Sequence, residues 1–571
     1  MPTIEVKSNT NRSKKIMLGI VLLFLFVTIS LLVYLYPFAS TENEKYVSKE
    51  YSILLNGKIQ GNAVLEGNKL FVPLDVIKKG IDDSIFVETN SVIFTTNHRV
   101  IQFPIDKNGY FINQLPEKTT YPIVKNMNNQ LYIDLNTLKL IYSIQYHVTK
   151  NEKIVWIEKN QDSYYQGNIT NKNARQAFLR LRTKPNLQSP YVVDVHSGEN
   201  IRIEKIVDDY YYVRTKEGLG GFIKKGYVNK KQKMLVSTTT HQEKTKLPMI
   251  REPIHLTWEA IYTKTPDPAN LPKMPGVNVV SPTWFKLKNG KGEVTNLASE
   301  SYVKWAKKNG YQVWALFSNS FDPDLTKEAF SHYETRKKII NQLLTYMKTY
   351  QLDGLNIDIE NVSPEDGPLV TQFVREASAY LHKAGKFVSM DITFIAKGNW
   401  SEFYERDKLA TVVDYLIVMA YDEHWGNSPT SGSVASLPWV KNNLEQLLNE
   451  VPSNKLILGV PFYTRLWKEE VKDGKTLVSS QTLSMEQAKA WIKEKNLKTT
   501  EDAESGQNYV EYSDPKTDTV YKMWLEDERS LRKRAELAAH YKLAGVASWA
   551  RYFGDQSAWL ALQTSLSAFN K

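Results

Sequence analysis

The chain has 571 residues, of which 42% are hydrophobic and 24% are charged. This balance excludes a mostly disordered or collagen-like protein, and the length predicts roughly three or four domains. Cysteine is absent, which excludes disulfides, thiolate catalysis and cysteine-based metal sites, and the formal net charge of +11 favours an anionic neighbour without identifying one.

The first predicted element is an apolar segment at residues 16–38, preceded by a basic tail at residues 1–15. No charge interrupts this segment, and about 20 apolar residues are enough for a helix to span a membrane. The basic tail predicts a cytoplasmic N-terminus and an extracellular location for the rest of the chain. A cleavable signal peptide is the alternative, but its apolar region is normally only about 7–15 residues long. We therefore predict a single-pass membrane anchor.

Two β-rich modules are predicted after the anchor. Residues 45–160 contain short alternating strands and resemble the accessory modules named after the N-terminal domain of copper amine oxidase; the name implies no copper here. Residues 174–229 resemble a bacterial SH3-type barrel, a module common in wall-binding proteins. Its aromatic strand at 210–213 indicates either a ligand platform or internal packing. The lysine-rich stretch at residues 230–247 predicts a linker.

The remaining residues, 248–571, alternate apolar strands with helix-period segments, which predicts a parallel (β/α)₈ TIM barrel of the α/β class. A longer stretch at residues 468–521 is predicted to be an insertion between strands seven and eight. In this fold, functional side chains lie at the carboxyl ends of the strands. The eight predicted strands fall within residues 253–262, 276–287, 311–320, 352–362, 386–394, 413–422, 455–467 and 544–553.

Strand four carries a polar stripe. Asn356, Asp358 and Glu360 alternate with apolar residues, so they share the inner face of the barrel. Two carboxyl groups in one apolar environment raise at least one pKa, which favours a general acid near neutral pH. The outermost residue, Glu360, is best placed to meet a substrate. The alternatives are a solvated strand end or a metal site, but a metal site needs more ligands than this stripe supplies.

These residues resemble the DxxDxDxE signature of family 18 glycoside hydrolases, the chitinase-like enzymes. The matching residues are Asp353, Asn356, Asp358 and Glu360, with Asn in place of the middle Asp. The segment at 419–422, MAYD, resembles the M-x-Y-D motif of the family. The segments NIDIENV, AYDEHWGNSP and SVASLPWV resemble the branch found in spore-forming bacteria, which includes spore-cortex N-acetylglucosaminidases.

The resemblance implies roles for particular residues and no cofactor or metal. Glu360 is expected to protonate the glycosidic oxygen, and Asp358 to orient the 2-acetamido group of the sugar, which attacks its own anomeric carbon. Tyr421 and Asp422 are expected to hold that group, and Asn356 to donate a hydrogen bond to Asp358. The predicted substrate contacts are Trp549, Asn356, Asp353, Tyr463, Arg465 and Trp425. A plain structural role stays open for Tyr463 and Arg465, and a plain loop role for His424 and Trp425.

Together these features predict a membrane-anchored extracellular glycoside hydrolase that cleaves β-1,4 bonds after N-acetylglucosamine. Peptidoglycan is preferred to chitin as substrate, because the anchor and the two modules hold the enzyme against its own envelope. The alternatives are a chitinase, and a catalytically weak or inactive wall-binding or sporulation protein on the same fold. Nucleic acid is not expected as a partner, since the motifs and the external topology oppose it.

Overall fold

The computed structural model describes residues 10–35, 38–44, 50–170, 174–238, 247 and 249–566. Much of the predicted tail, and residues 239–246 of the predicted linker, therefore lie outside the described residues. The chain divides into two compact units. The first comprises Met1–Ser84, Pro104–Gly109 and Thr119–Gln242, and the second Ile85–Phe103, Tyr110–Lys118 and Glu243–Lys571.

The N-terminal element is a single helix, α1 (Thr10–Leu35). Within it, the segment Ser13–Tyr34 contains an 18-residue window with a mean hydropathy of 3.0, and no residue of that window is buried against the protein. The predicted apolar helix is confirmed, and its length and composition fit either a membrane span or a signal sequence. Tyr36 and Pro37, at the end of the predicted segment, lie outside the described residues.

The first β-rich region contains two sheets. A hairpin opens the region, because Asn56 and Gly57 both adopt the positive φ angles that its tight turn requires. The elements are β1 (Tyr51–Leu55), β2 (Lys58–Glu66), β3 (Lys69–Pro73), α2 (Leu74–Gly80), β4 (Phe86–Val87), β5 (Ser91–Thr95), β6 (Val100–Pro104), β7 (Asn108–Ile112), β8 (Leu115–Pro122), β9 (Val124–Met127), β10 (Gln130–Asp134), α3 (Leu135–Ile141), β11 (Ile144–Thr149) and β12 (Ile154–Lys159). The sheet orders are β11-β12-β1-β2-β3-β10-β9 and β4-β5-β6-β7-β8.

The second β-rich region is one seven-stranded sheet. Its strands are β13 (Ser163–Ile169), β14 (Arg180–Arg182), β15 (Tyr191–Asp194), β16 (Asn200–Val207), β17 (Tyr210–Arg214), β18 (Gly220–Lys224) and β19 (Val228–Leu235). They are arranged in the order β15-β14-β18-β17-β16-β13-β19. Strand β13 lies before the predicted module boundary at 174, and β19 extends beyond the predicted boundary at 229. In the predicted aromatic strand, Tyr210 is buried, whereas Tyr211 and Tyr212 are half-buried.

The second unit contains the barrel and its insertion. Its strands are β20 (Ile254–Glu259), β21 (Val279–Pro282), β22 (Phe285–Leu287), β23 (Val294–Asn296), β24 (Gln312–Ser318), β25 (Gly354–Asp358), β26 (Phe387–Ile392), β27 (Tyr415–Met419), β28 (Leu456–Pro461), β29 (Thr464–Lys472), β30 (Lys475–Leu483), β31 (Thr500–Asp502), β32 (Gln507–Asp514), β33 (Thr519–Leu525) and β34 (Gly545–Trp549). Its helices are α4 (Glu300–Lys308), α5 (Pro323–Phe330), α6 (Tyr333–Thr349), α7 (Gly367–Lys383), α8 (Arg406–Val412), α9 (Leu437–Leu447), α10 (Met485–Glu494), α11 (Glu528–His540) and α12 (Gln556–Leu566).

Eight parallel strands close into a barrel in the order β20, β21, β24, β25, β26, β27, β28 and β34. Each lies within one of the eight predicted segments, so the predicted TIM barrel is confirmed. Side chains such as Leu256, Trp314 and Ile417 fill the interior. Alternate residues of the same strands, such as Leu355 and Ile357, pack in the larger core that the surrounding helices share.

The insertion is a five-stranded antiparallel sheet with the order β30-β29-β33-β32-β31, accompanied by α10. It starts at Thr464 and ends at Leu525, so the predicted range of 468–521 was too short at both ends. The physical reason is that only two residues separate barrel strand β28 from β29, and the sequence shows no turn signal where the chain changes sheet.

Part of the first β-rich region belongs to the same compact unit as the barrel. Ile93 and Val100 join the hydrophobic core that the barrel helices share. Nearby, the fully buried Arg336 of α6 forms a bidentate ion pair with the fully buried Glu376 of α7 and a further bond with Glu88. We call Arg336, Glu376 and Glu88 the Arg336 network.

Candidate active site

The polar stripe predicted on strand four lies inside the barrel. β25 ends at Asp358, and Glu360 follows two residues later. Leu355 and Ile357 pack outward against the helices, so Asn356 and Asp358 face the interior. The stripe leads from the fully buried Asn356 to the partly exposed Glu360.

Asn356 is the deepest member of the stripe. Its Oδ1 accepts hydrogen bonds from Trp258 Nε1 at 2.9 Å and from Ser281 Oγ at 3.0 Å. Its Nδ2 donates to Asp391 Oδ1 at 2.9 Å. The expectation that this amide donates to Asp358 is corrected, because its acceptor is a carboxyl group on the neighbouring strand. Since Asn356 is 0% exposed, it positions other side chains and lies out of reach of a substrate.

Asp358 is buried above Asn356 in surroundings that disfavour its charge. It is 8% exposed, and its Oδ1 has no hydrogen-bond partner among the described residues. Burial raises the pKa of Asp358 to about 7. This carboxyl group therefore changes its protonation state near neutral pH.

Glu360 lies at the carboxyl end of strand four. The buried side chain of Asn319 binds its main chain twice: Asn319 Oδ1 accepts from the Glu360 N–H at 3.1 Å, and Asn319 Nδ2 donates to the Glu360 carbonyl at 2.7 Å. Burial raises the pKa of Glu360 well above its usual range, and the nearby charges of Asp358 and Asp422 raise it further. A partly exposed carboxyl group with a raised pKa can serve as a general acid.

Tyr421 and Asp422 follow strand six. The main chain of Asp422 has a positive φ of 61°. Its Oδ1 accepts hydrogen bonds from the Tyr463 hydroxyl at 2.6 Å and from the Arg465 guanidinium at 2.9 Å. The rings of Tyr421 and Tyr463 meet edge to face, with centroids 6.3 Å apart. The four residues form one cluster, although Arg465 belongs to β29 of the insertion and not to barrel strand seven.

Two predicted tryptophans lie at the same end of the barrel. Trp549 is the last residue of β34 and is partly exposed, with its ring centroid 5.8 Å from that of Trp258 on β20. Trp425 is 53% exposed in the loop after strand six. The neighbouring His424 is anchored within this loop, where its Nδ1 lies 2.9 Å from the Ser433 carbonyl.

Asp353 is separated from the other predicted residues. It precedes the first residue of β25, at the amino end of the strand, whereas Glu360 lies beyond the carboxyl end. Its Oδ2 accepts a hydrogen bond from the Val313 N–H of the neighbouring strand at 2.9 Å. Asp353 therefore joins the sheet at the opposite end and is not a substrate contact, which corrects the expectation.

Several residues near the stripe were missed by sequence reasoning. Asp391 pairs in register with Asp358, and its only sequence signal is a lone acidic residue in an apolar strand. The role of Asn319 depends on its contact with a strand far along the chain, which leaves no local pattern. At the rim, Trp400 and Phe321 are exposed, with ring centroids 6.5 Å apart. In the described part of the chain, no three His, Asp or Glu side chains cluster in a way that could hold a metal ion.

Comparison with known proteins gives the family. Residues 279–554 match the family model of glycosyl hydrolases family 18. The chain is 31% identical over 301 residues to the uncharacterized glycosylase YvbX of Bacillus subtilis, a match that covers 50% of this chain and 84% of YvbX. It is 22% identical over 260 residues to the cortical fragment-lytic enzyme of Bacillus subtilis, covering 45% of this chain and 59% of that enzyme.

The fold has a counterpart among solved structures. The C-terminal domain of a suspected chitinase from Desulfitobacterium hafniense DCB-2 superposes with a TM-score of 0.50 at 22% identity, covering 56% of this chain and 99% of that domain. At this identity the likeness shows the fold alone. The family match and the YvbX relative carry the assignment further: the chain belongs to glycosyl hydrolases family 18 and is a glycoside hydrolase.

Proposed function

We propose that this protein is a membrane-anchored extracellular enzyme that cleaves β-1,4 bonds after N-acetylglucosamine, in peptidoglycan, with Glu360 as its acid. The observation that carries the proposal is the placement of Glu360. It is the outermost carboxyl group of the stripe, it is partly exposed at the carboxyl end of strand four, and burial raises its pKa well above the usual range. It therefore holds a proton where a glycosidic oxygen can approach.

The burial of Asp358 supports a substrate-assisted mechanism. A retaining glycosidase with two carboxylates needs the second one beside the anomeric carbon as nucleophile. Asp358 is only 8% exposed, so we assign it to orientation and charge stabilisation and assign the nucleophile to the acetamido oxygen of the sugar. That oxygen attacks the anomeric carbon while Glu360 protonates the leaving oxygen, and a cyclic oxazolinium forms.

The second half of the reaction regenerates the enzyme. The Glu360 carboxylate takes a proton from water, the water oxygen bonds to the anomeric carbon, and the ring of the intermediate reopens with retained configuration. Tyr421 and Asp422 hold the acetamido group, and Trp549 stacks on the apolar face of the sugar. The hydrogen bonds from Tyr463 and Arg465 fix the carboxylate of Asp422 in one orientation during both steps.

The preference for peptidoglycan rests on the organisation of the chain. An apolar N-terminal helix of spanning length and two β-rich regions precede the barrel, and we assign them to anchoring and to adsorption on the wall. One relative is named as a cortical fragment-lytic enzyme. A chitinase and a wall-binding protein without activity are the alternatives, and the retained Glu360 argues against the second.

Digestion of two purified polymers tests the proposal. Wild type, Glu360→Gln and the matched control Glu365→Gln, which changes an exposed glutamate nearby, are incubated with peptidoglycan and with chitin oligomers. We expect reducing ends from wild type and the control but not from Glu360→Gln. Mass spectrometry of the muropeptides is expected to place the new reducing end on N-acetylglucosamine. Equal release by wild type and Glu360→Gln contradicts the catalytic assignment, and release from chitin alone favours the chitinase alternative.

A further inference from the structure

We propose that Asp391 is a positioning residue that holds the one proton shared by two buried carboxyl groups, and that it thereby keeps Asp358 ionised. The catalytic consequence of this inference rests on the proposed function. Asp391 is 1% exposed on β26, and the parallel register of β25 and β26 pairs it directly with Asp358. The two carboxyl groups therefore lie side by side inside the barrel.

Within the described part of the chain, no cation is found among the groups that act on this pair. Among the described residues, the groups that act on the two carboxyls are acidic or neutral: Asp358 and Glu360 act on Asp391, and Asn356 and Trp258 donate hydrogen bonds toward it. The phenols of Tyr404, after strand five, and Tyr421, after strand six, also face this cluster. Two carboxylates without a counterion in an apolar interior cannot both ionise near neutral pH, so the pair retains a proton.

The hydrogen bonds indicate where this proton resides. Asn356 Nδ2 donates to Asp391 Oδ1 at 2.9 Å, which leaves Asp391 Oδ2 to carry the proton. The Oδ1 atom of Asp358 has no hydrogen-bond partner among the described residues and is the acceptor that this proton fits. Burial alone raises the pKa of Asp358, whereas burial and the charges of Asp358 and Glu360 together raise the pKa of Asp391. We therefore place the proton on Asp391, whose Oδ1 is held by Asn356 and whose Oδ2 is left to donate.

The arrangement explains how an amide can occupy the middle position of the stripe. Asn356 cannot hold a proton for Asp358, but it fixes the carboxyl group of the neighbouring strand that can. A hydrogen bond from a neutral acid stabilises the ionised form of its acceptor. Asp358 then keeps the negative charge that orients the acetamido group of the sugar.

Infrared difference spectra of the full-length chain locate the proton. The parent is Glu360→Gln, which removes the signal of the acid itself, and spectra are taken at about pH 8, where a lone Asp358 is mostly ionised. We expect Asp391→Asn to abolish one carbonyl band of a protonated carboxyl group, and the matched Asp358→Asn to retain it. Survival of the band with Asp391→Asn, or its loss with Asp358→Asn, overturns the proposal. The readout needs no substrate, so it is independent of whether the proposed function holds.

The pH profile of the enzyme with Glu360 intact gives a second measurement. Asp391→Leu removes the donor, so the pKa of Asp358 rises and the acidic limb of kcat/KM moves to higher pH by about one unit. Asp391→Asn keeps an N–H donor of the same shape and is expected to move this limb less. Equal displacement by the two variants, or none by either, overturns the positioning role. Thermal unfolding of both variants verifies that they are folded.

Discussion

The side chain of Asn319 offers a sharp test of how Glu360 is held. Asn319 is 0% exposed and makes two hydrogen bonds to the Glu360 main chain, and its Nδ2 also donates to Thr326 Oγ1 at 2.8 Å. Asn319 Oδ1 also accepts a hydrogen bond from the Phe321 N–H at 3.2 Å. Asn319→Leu preserves the volume and removes all four hydrogen bonds. Each buried hydrogen bond contributes about 1 kcal/mol, and each stranded buried group costs about 1–3 kcal/mol. The four lost hydrogen bonds alone predict a fall of about 4 kcal/mol in the free energy of unfolding, and any group that stays stranded in the interior increases this loss.

Activity is expected to fall further than stability explains. Without its two anchors, the main chain of Glu360 can shift, and a displacement of about 1 Å at a reacting group costs roughly 100-fold in rate. Denaturant unfolding gives the stability, and reducing-end release gives kcat under conditions where the variant is fully folded. Thr326→Val is the matched control, because it removes the Thr326 hydroxyl, with its hydrogen bonds to Asn319 and to the Asp322 carbonyl, and leaves the two hydrogen bonds to Glu360. A folded Asn319→Leu with wild-type kcat, or an equal loss of kcat in Thr326→Val, would refute this reasoning.

Three further predictions concern protonation, substrate binding and the barrel core. Folding raises the pKa of Asp358 from 3.8 to about 7, so the free energy of unfolding falls as pH rises through this interval; Asp358→Asn should remove that part of the slope, measured by denaturant unfolding at both ends of it. Trp549→Ala is expected to raise KM for N-acetylglucosamine oligomers about tenfold, because about 1.4 kcal/mol of stacking is lost, and Trp549→Phe to raise it less. Glu376→Gln breaks the fully buried pair with Arg336 and should lower the free energy of unfolding by about 3–5 kcal/mol. The matched Glu300→Gln, at an exposed helical pair with Lys304, should change it by at most about 0.5 kcal/mol in thermal unfolding.

The barrel strands were predictable because their signal is local. Each is a short apolar run, and the alternation at 355–360 predicts that Asn356 and Asp358 lie on the inner face of the barrel. The start of the insertion was not predictable in the same way, since Arg465 follows strand seven without a break and only its pairing with β30 and β33 separates it from the barrel.

The side-chain contacts between strands could not be predicted from the sequence either. Asn356 donates its hydrogen bond to Asp391 and not to Asp358 because of the register between two neighbouring strands. The sequence of a single strand does not encode that register. Asn319 reaches Glu360 across 41 positions of the chain. Asp353 is the opposite case, because sequence proximity wrongly predicts that it belongs to the site. Its motif extends from one end of strand β25 to the other, so Asp353 lies far from Glu360.

The boundaries of a truncated fragment of this enzyme decide whether it keeps the Arg336 network and the core contacts of Ile93 and Val100. An expression fragment trimmed to the family match, which begins at residue 279, would lack all the segments before the barrel that share its core. Arg336 would lose one of its two carboxylate partners, and hydrophobic surface would meet water. The segments 85–103 and 110–118 are therefore structural parts of the catalytic domain. Replacing the accessory region with an unrelated module would require compensating substitutions on helices α6 and α7.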